Sequence, residues 1–181
     1  MNQRKPIDAI FFDRDGIINE VVMRDGIVSS PRCSAEFRIV PDFVDLHAAL
    51  RRHAVRMFVV SNQPDVSREL LPANELRQMD EELHRLFGFD EIVYCTHDDS
   101  HGCECRKPRP GMIISLLQKY ELQPERVIFV GDSKKDVLAG RAARVPTVLL
   151  KRPYNAEIEA EFTVDTLREI LDLVTFAEES T

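Results

Sequence analysis

Two aspartates stand two positions apart in Asp13-Arg14-Asp15-Gly16, directly after the apolar run Ile7 to Phe12. Side chains two apart on extended backbone share a face, so two carboxylates at such a strand end repel each other. That repulsion raises one pKa and is relieved by a divalent cation. Hard oxygen ligands with substrate phosphate in the remaining positions suit Mg2+. Two more polar clusters follow apolar runs in the same manner: Ser61-Asn62-Gln63 after Val55 to Val60, and Gly131-Asp132-Ser133-Lys134-Lys135-Asp136 after Val127 to Val130. Asp132, arriving from another strand, would complete a cation site. Each cluster alone reads equally as a turn or a helix cap, because Asp, Asn, Ser and Gly dominate those positions. Their joint placement at successive strand exits argues for a site.

The segment Cys105-Arg106-Lys107-Pro108-Arg109-Pro110-Gly111 has a different chemistry. Its prolines hold the chain out of helix until Gly111. Arg106, Lys107 and Arg109 therefore form a stiff basic strip ahead of a helix N-terminus, a setting that favours phosphate. The bland alternative is a solvated surface strip. Just upstream, Cys95-x-His97 and Cys103-x-Cys105 offer three thiols and an imidazole, the donor set of a closed tetrahedral zinc site. Unliganded loop thiols are the alternative. His101 competes with His97 for the fourth position, and the Cys-x-His spacing favours His97. Cys33 has no partner in this scheme.

These residues need elements to hold them. Strand-length apolar runs at Ile7 to Phe12, Val55 to Val60, Glu91 to Tyr94, Val127 to Val130 and Pro146 to Leu150 alternate with one-sided helical patterns. The helical patterns cover Asp42 to His53, Asn74 to Phe87, Gly111 to Tyr120 and Lys135 to Ala143, with a last helix over Val164 to Val174. Continuously apolar strands suit a parallel sheet buried on both faces, and ligands of such sheets bind beyond the carboxyl ends of the strands. His47, His53 and His84 fall in the helical patterns, at surface or boundary positions. Arg14 to Pro41 is one long polar interval, a length that in a compact domain usually serves function. The tail Glu178 to Thr181 is expected to fray.

The chain has 181 residues, 24 Lys+Arg against 31 Asp+Glu, a net charge of −7 and 44% hydrophobic residues. That is the size and composition of one domain spanning 1–181. The acidic balance disfavours nucleic acid, which requires a basic face. No apolar stretch reaches the ~20 residues of a membrane span, and Asp8 and Asp13 interrupt the run behind the basic N-terminus, against a signal peptide. A cytoplasmic protein is expected, where clustered cysteines hold metal rather than disulfides. Monomer and small homo-oligomer both remain open.

The order Phe11-Phe12-Asp13-Arg14-Asp15-Gly16, Val59-Val60-Ser61-Asn62-Gln63, Arg106-Lys107-Pro108 and Val130-Gly131-Asp132-x-x-x-Asp136 resembles the four motifs of the haloacid dehalogenase superfamily of phosphatases. Asp-Arg-Asp-Gly-x-x-Asn19 and Cys-x-Cys-Arg-Lys-Pro-x-Pro-Gly-Met112 resemble, more narrowly, the D-glycero-D-manno-heptose 1,7-bisphosphate phosphatases and the related histidinol-phosphatases. The resemblance implies a three-layer, Rossmann-like α/β fold without a cap domain but with a zinc-binding loop. It implies Asp13 as nucleophile, Asp15 as general acid and base, Ser61 and Lys107 on the transferring phosphoryl group, and Asp136 orienting Lys107 or a metal-bound water. Magnesium would be held by Asp13, the Asp15 carbonyl and Asp132, and a structural zinc by Cys95, His97, Cys103 and Cys105. Asn19, Asn62, Arg68, Arg106 and Arg109 are the candidate substrate contacts.

Two departures bear on the substrate. Pro64 and Asp65 replace the small residues that usually follow the second motif, and Ser133 stands where a basic residue often follows the fourth-motif aspartate. The expected activity is Mg2+-dependent hydrolysis of a small phosphorylated metabolite, foremost a heptose-type sugar phosphate or bisphosphate. Histidinol phosphate or another amino-alcohol phosphate is the alternative substrate, and a catalytically silent, zinc-stabilised binding domain is the alternative of a different class.

Overall fold

Ala9-Ile10-Phe11-Phe12 forms strand β1, and every residue of it is buried. Its side chains divide by parity. Ile10 and Phe12 enter one core with Phe43, Leu46, Met79 and Leu83, while Ala9 and Phe11 enter a second with Ile113, Leu116 and Ala139. A strand with apolar side chains on both faces belongs at the centre of a covered sheet, and β1 is central. The computed structural model describes residues 6–177, so the expected fraying of Glu178 to Thr181 lies outside the described residues.

The remaining strands are β2 (Val22–Arg24), β3 (Ile27–Ser29), β4 (Arg56–Asn62), β5 (Glu91–Cys95), β6 (Val127–Gly131), β7 (Thr147–Leu150) and β8 (Phe162–Val164). Helices α1 (Pro41–Leu50), α2 (Ala73–Phe87), α3 (Gly111–Lys119), α4 (Lys134–Ala143) and a single-turn α5 (Ile170–Leu173) connect or cover them. Six strands form one sheet in the order β5-β4-β1-β6-β7-β8, and every pairing in it is parallel. Helices α1 and α2 cover one face, α3 and α4 the other. This is the three-layer α/β arrangement expected from the sequence. The chain passes from β1 to β4 on one side and to β6 on the other, so the strand order reverses beside β1, where a crevice opens at the carboxyl ends. Phe12 is in register with Val59 and with Val130, which brings the residues that follow each strand together at that point.

Three expectations need correction. Val164 to Val174 is not one helix. Phe162–Val164 pairs with β7 as a sixth strand, and a 3-10 turn at Leu167–Glu169 leads into α5. Glu169 accepts from the backbone N–H and hydroxyl of Thr166, and Asp42 accepts from Leu167 N at 2.7 Å, so local caps break the pattern into two short pieces. Second, the interval 14–41 contains the antiparallel β2–β3 hairpin. Asp25 and Gly26 both have positive φ (50° and 77°), as a two-residue type I′ turn requires. Third, His47 is a core residue with 6% exposure, its Nε2 lying 2.9 Å from the Phe87 carbonyl.

Candidate active site

The three carboxyl-end motifs meet Arg106 and Lys107 of the basic strip in an open cleft of about 530 Å³. Asp13 and Asp15 from the β1 exit, Ser61 from β4, Asp132 from the β6 exit and Lys107 all line it. Lys107 is buried to 2% exposure, yet its ammonium is surrounded by three oxygens: Asp13 Oδ1 at 2.8 Å, Asp136 Oδ1 at 2.6 Å and the Val60 carbonyl at 2.8 Å. Burial works against its charge, but Asp13 and Asp136 outweigh this and hold its pKa above the ordinary lysine value.

Asp136 is fully buried and committed on its other side as well. Its Oδ2 accepts from Ser133 N at 3.0 Å and from Ser133 Oγ at 2.6 Å, while Ser133 caps the first turn of α4. Ser133, the departure from a basic residue, thus serves as the N-cap that fixes Asp136. Asp13 and Asp132 remain as carboxylates facing the cleft. Burial, only partly offset by Lys107, pushes Asp13 up to about 6, with Asp136 and Asp15 adding repulsion. Burial, then Asp13 and Asp136, push Asp132 up to about 8. Oxygens of Asp13, Asp132 and Asp136 lie within 4.8 Å of one another. Three carboxylates against one ammonium leave an excess of negative charge that a divalent cation would neutralise, and the donors are the hard oxygens Mg2+ takes.

Asp15 sits in the opposite environment. Burial raises its pKa, but the Arg14 guanidinium and side-chain N–H donors prevail and hold it below the usual carboxylate value. Arg14 donates to Oδ1 through Nε (3.0 Å) and Nη2 (2.9 Å), Asn19 Nδ2 donates to Oδ1 (2.9 Å), and Gln63 Nε2 donates to Oδ2 (2.8 Å). Gln63 Nε2 also reaches Ser61 Oγ at 3.1 Å, which links the second motif to the first. Arg14 is wholly buried, with its guanidinium carbon 5.7 Å from the Phe37 ring centre and 5.6 Å from that of Tyr94.

The candidate substrate contacts divide into two groups. Arg68 and Arg106 line the cleft. Arg68 pairs with Asp98 and, at 3.4 Å, with Asp65; Arg106 donates to Asp99 at 2.6 Å and to the His97 carbonyl at 3.2 Å. Asn62 also borders the cleft, but its side chain is engaged with the Lys107 backbone at both ends, accepting from Lys107 N (3.0 Å) and donating to Lys107 O (2.9 Å). Asn19 is buried beneath Asp15 and donates to it. Arg109 is exposed and donates to the Cys103 carbonyl at 2.5 Å, away from the cleft lining. The structure therefore brings Arg68 and Arg106 to the cleft and gives Asn19, Asn62 and Arg109 supporting positions.

Cys95, His97, Cys103 and Cys105 converge as their spacing implies. The three Sγ atoms lie 3.2–3.6 Å from one another, His97 Nδ1 lies 3.7 Å from Cys95 Sγ and 3.3 Å from Cys105 Sγ, and all four cysteines of the chain are free thiols. A tetrahedron with Zn–S near 2.3 Å and Zn–N near 2.1 Å has edges of roughly 3.6–3.8 Å, so the donor set fits zinc. His101 stays outside this group, its Nδ1 accepting from Asp98 N at 3.1 Å.

The family model described as haloacid dehalogenase-like hydrolase matches residues 19–144. The chain belongs to the haloacid dehalogenase-like hydrolases. A D-glycero-beta-D-manno-heptose-1,7-bisphosphate 7-phosphatase of Pseudomonas putida is 35% identical over 147 residues, covering 78% of this chain and 81% of its own. The enzyme of that name from Vibrio cholerae is 31% identical over 179 residues, covering 90% and 93%. Among solved structures, the D,D-heptose 1.7-bisphosphate phosphatase from B. bronchiseptica, complexed with magnesium and phosphate, superposes with a TM-score of 0.80 at 24% identity, covering 92% of this chain and 97% of that one.

Within this family fold, the site includes residues that motif reading passed over. Arg14 lies between the two motif aspartates and reads as a spacer. Gln63 reads in sequence as one more polar residue of the second cluster. Tyr154 and Asn155 belong to the segment Lys151 to Asn155, whose place just after the last apolar strand borders the site in sequence but gives its residues no role.

Proposed function

We propose that the chain is a Mg2+-dependent phosphomonoesterase acting on a heptose-type sugar phosphate or bisphosphate. The observation that carries the reaction is the buried Lys107 ammonium bridging Asp13 and Asp136 beside Asp132, at the floor of a cleft where β1, β4 and β6 end. The names of the relatives support the heptose substrate.

Asp13 is the nucleophile. Its carboxylate oxygen bonds to phosphorus as the ester P–O bond breaks, forming an aspartyl-phosphate that water then hydrolyses, which divides one difficult displacement into two. Lys107, already 2.8 Å from Asp13, holds positive charge where the phosphoryl charge accumulates. The Ser61 hydroxyl accepts from Gln63 and keeps its own proton to donate to a phosphoryl oxygen. Asp15 protonates the leaving alkoxide and then takes the proton of the attacking water. The N–H donors around it favour its ionised form, suited to the second task; to deliver a proton in the first, Asp15 must carry that proton in place of at least one of those contacts. Mg2+, held by Asp13 and Asp132 with the Asp15 carbonyl that the family resemblance adds, would supply charge neutralisation at the phosphoryl oxygens.

Zinc in the Cys95–His97–Cys103–Cys105 loop is structural in this reading. It fixes Cys105 next to Arg106 and Lys107 and leaves no open position for chemistry. Free thiols that keep zinc suit a reducing, cytoplasmic setting.

Asp13→Asn tests the mechanism. Turnover of any phosphomonoester should fall by at least ~10³-fold, as loss of a nucleophile does, with zinc content and folding retained. Full activity in that variant would refute the covalent route. A panel of kcat/KM values over heptose bisphosphate, other sugar phosphates and histidinol phosphate tests the substrate, and preference for histidinol phosphate would overturn the heptose reading.

A further inference from the structure

The segment after β7 has no part in the four motifs, yet it is built into the metal-facing side of the cleft. Tyr154 donates its phenol proton to Asp132 Oδ2. Asn155, with 3% exposure, donates to the Asp132 carbonyl at 2.7 Å and to the Leu150 carbonyl at 2.9 Å, and accepts from Arg152 N at 2.7 Å. The side-chain amide thus spends both N–H groups on tying the β6 exit to the end of β7. Arg152 Nη2 reaches the Gly16 carbonyl at 3.4 Å, which adds the β1 exit to the same knot. Gly16 itself presses close enough that a Cβ there would lie 1.9 Å from Asp132 Oδ2 and 2.9 Å from the Tyr154 hydroxyl.

From this geometry we infer that Tyr154 and Asn155 are positioning residues for the cation site, Asn155 fixing the Asp132 backbone and Tyr154 fixing the orientation of its carboxylate. The inference rests on the phosphatase reading, in which Asp132 is a metal ligand. A carboxylate on a single χ1–χ2 pair can point several ways, and two anionic neighbours give it reason to turn from Asp13. The phenol removes that freedom by taking Oδ2 and leaving Oδ1 for a cation. Partners that orient a ligating carboxylate typically contribute 10–100-fold to metal affinity. Tyr154 is 41% exposed and Asn155 is buried, so the two differ in what their loss disturbs. The phenol can be removed without opening a cavity; the amide cannot.

The test uses the full-length, zinc-loaded chain and Mn2+ as the probe, read by electron paramagnetic resonance titration. Wild type, Tyr154→Phe and Asp132→Asn are compared, with melting temperatures measured in parallel without added Mn2+. Tyr154→Phe should raise the Mn2+ Kd about 10–100-fold, leave the metal-free melting temperature unchanged, and shift the Mg2+ concentration for half-maximal activity upward while kcat at saturating Mg2+ stays within a few-fold. Asp132→Asn should abolish Mn2+ binding. A wild-type Kd in Tyr154→Phe would overturn the inference and leave the site reading standing. A lowered metal-free melting temperature that accounts for the weaker binding would overturn the positioning role in favour of a purely structural one. Absence of Mn2+ binding by the wild type would overturn the site reading and this inference with it.

Discussion

The Asn62 side chain brackets the Lys107 peptide unit, accepting from its N–H at 3.0 Å and donating to its carbonyl at 2.9 Å. Lys107 arrives from a loop after β5 and must reach across to Asp13 at the exit of β1. Asn62, at the carboxyl end of β4, is the anchor between the two. Asn62→Ala removes both bonds and leaves a partly buried N–H and carbonyl without their partner, a cost of about 1–3 kcal/mol. The larger effect is on placement, since an ångström of misplacement of a charged catalytic group costs on the order of 10²-fold. We expect kcat to fall about 10–100-fold with a smaller change in KM. A change confined to KM would make Asn62 a substrate contact instead.

A zinc held by Cys95, His97, Cys103 and Cys105 would act on the same lysine through the chain. Arg106, beside Lys107, is tied to Asp99 and to the His97 carbonyl, both within the Cys95–Cys105 loop. Metal analysis should find about one zinc per chain, and Cys105→Ser should lose it, because a closed four-ligand site needs each donor. The expected consequence is a lower melting temperature together with a lower kcat/KM. A zinc-free protein equally stable and active would count against the site.

The layers of the fold were legible because β1, β4 and β6 are apolar on both faces, a pattern that suits a covered parallel sheet when one-sided helical patterns alternate with it. The site was legible because its residues fall at the ends of those strands. What was hidden depended on partners distant in sequence. Nothing near Asn62 indicates that its amide is consumed by Lys107, and nothing near Arg109 indicates that the chain turns it toward Cys103. The β2–β3 hairpin was different. Arg24-Asp25-Gly26-Ile27, flanked by Val and Ile, carries the Asp-Gly turn signal, which was obscured by reading 14–41 as one polar interval. Strand β8, at three residues, is too short to show a period, and Val164 fits the helical spacing of Leu167 and Ile170 as well as it fits a strand.

Asp13 and Asp132 set a pH dependence. Their folded-state pKa values, about 6 and about 8, stand above the carboxylate value of 3.8 expected in the unfolded chain. The native state therefore holds protons that the unfolded chain has released, and the stability these groups contribute is present at low pH and lost as pH rises through those values. Asp15, shifted downward, acts only at lower pH, where its contribution is lost as pH falls. Without added divalent cation the melting temperature should decline between pH 5 and pH 8.5, and Mg2+ should raise it more at pH 8 than at pH 5.5. Asp132→Asn should flatten the upper part of the decline. Thermal melts across pH with and without Mg2+ check this, and a Mg2+ effect independent of pH would contradict it.

Gly16 joins backbone conformation to metal placement. Its φ of +85° is a region that residues with a Cβ avoid, and the Cβ would stand 1.9 Å from Asp132 Oδ2. The first feature alone makes Gly16→Ala unfavourable by about 1–2 kcal/mol. The second cannot be accommodated by a flexible side-chain end, because Asp132 is held by Tyr154 through its carboxylate and by Asn155 through its carbonyl. The carboxylate must therefore leave its position. We expect Gly16→Ala to lose Mn2+ binding and to lower kcat/KM by more than ~10²-fold, a far greater functional loss than its change in melting temperature implies. Combining it with Tyr154→Phe should not restore either property, because the phenol is the more distant of the two obstacles and the carboxylate oxygen remains. Recovery of Mn2+ affinity in the double variant would show that the phenol, rather than Gly16, sets where Asp132 sits.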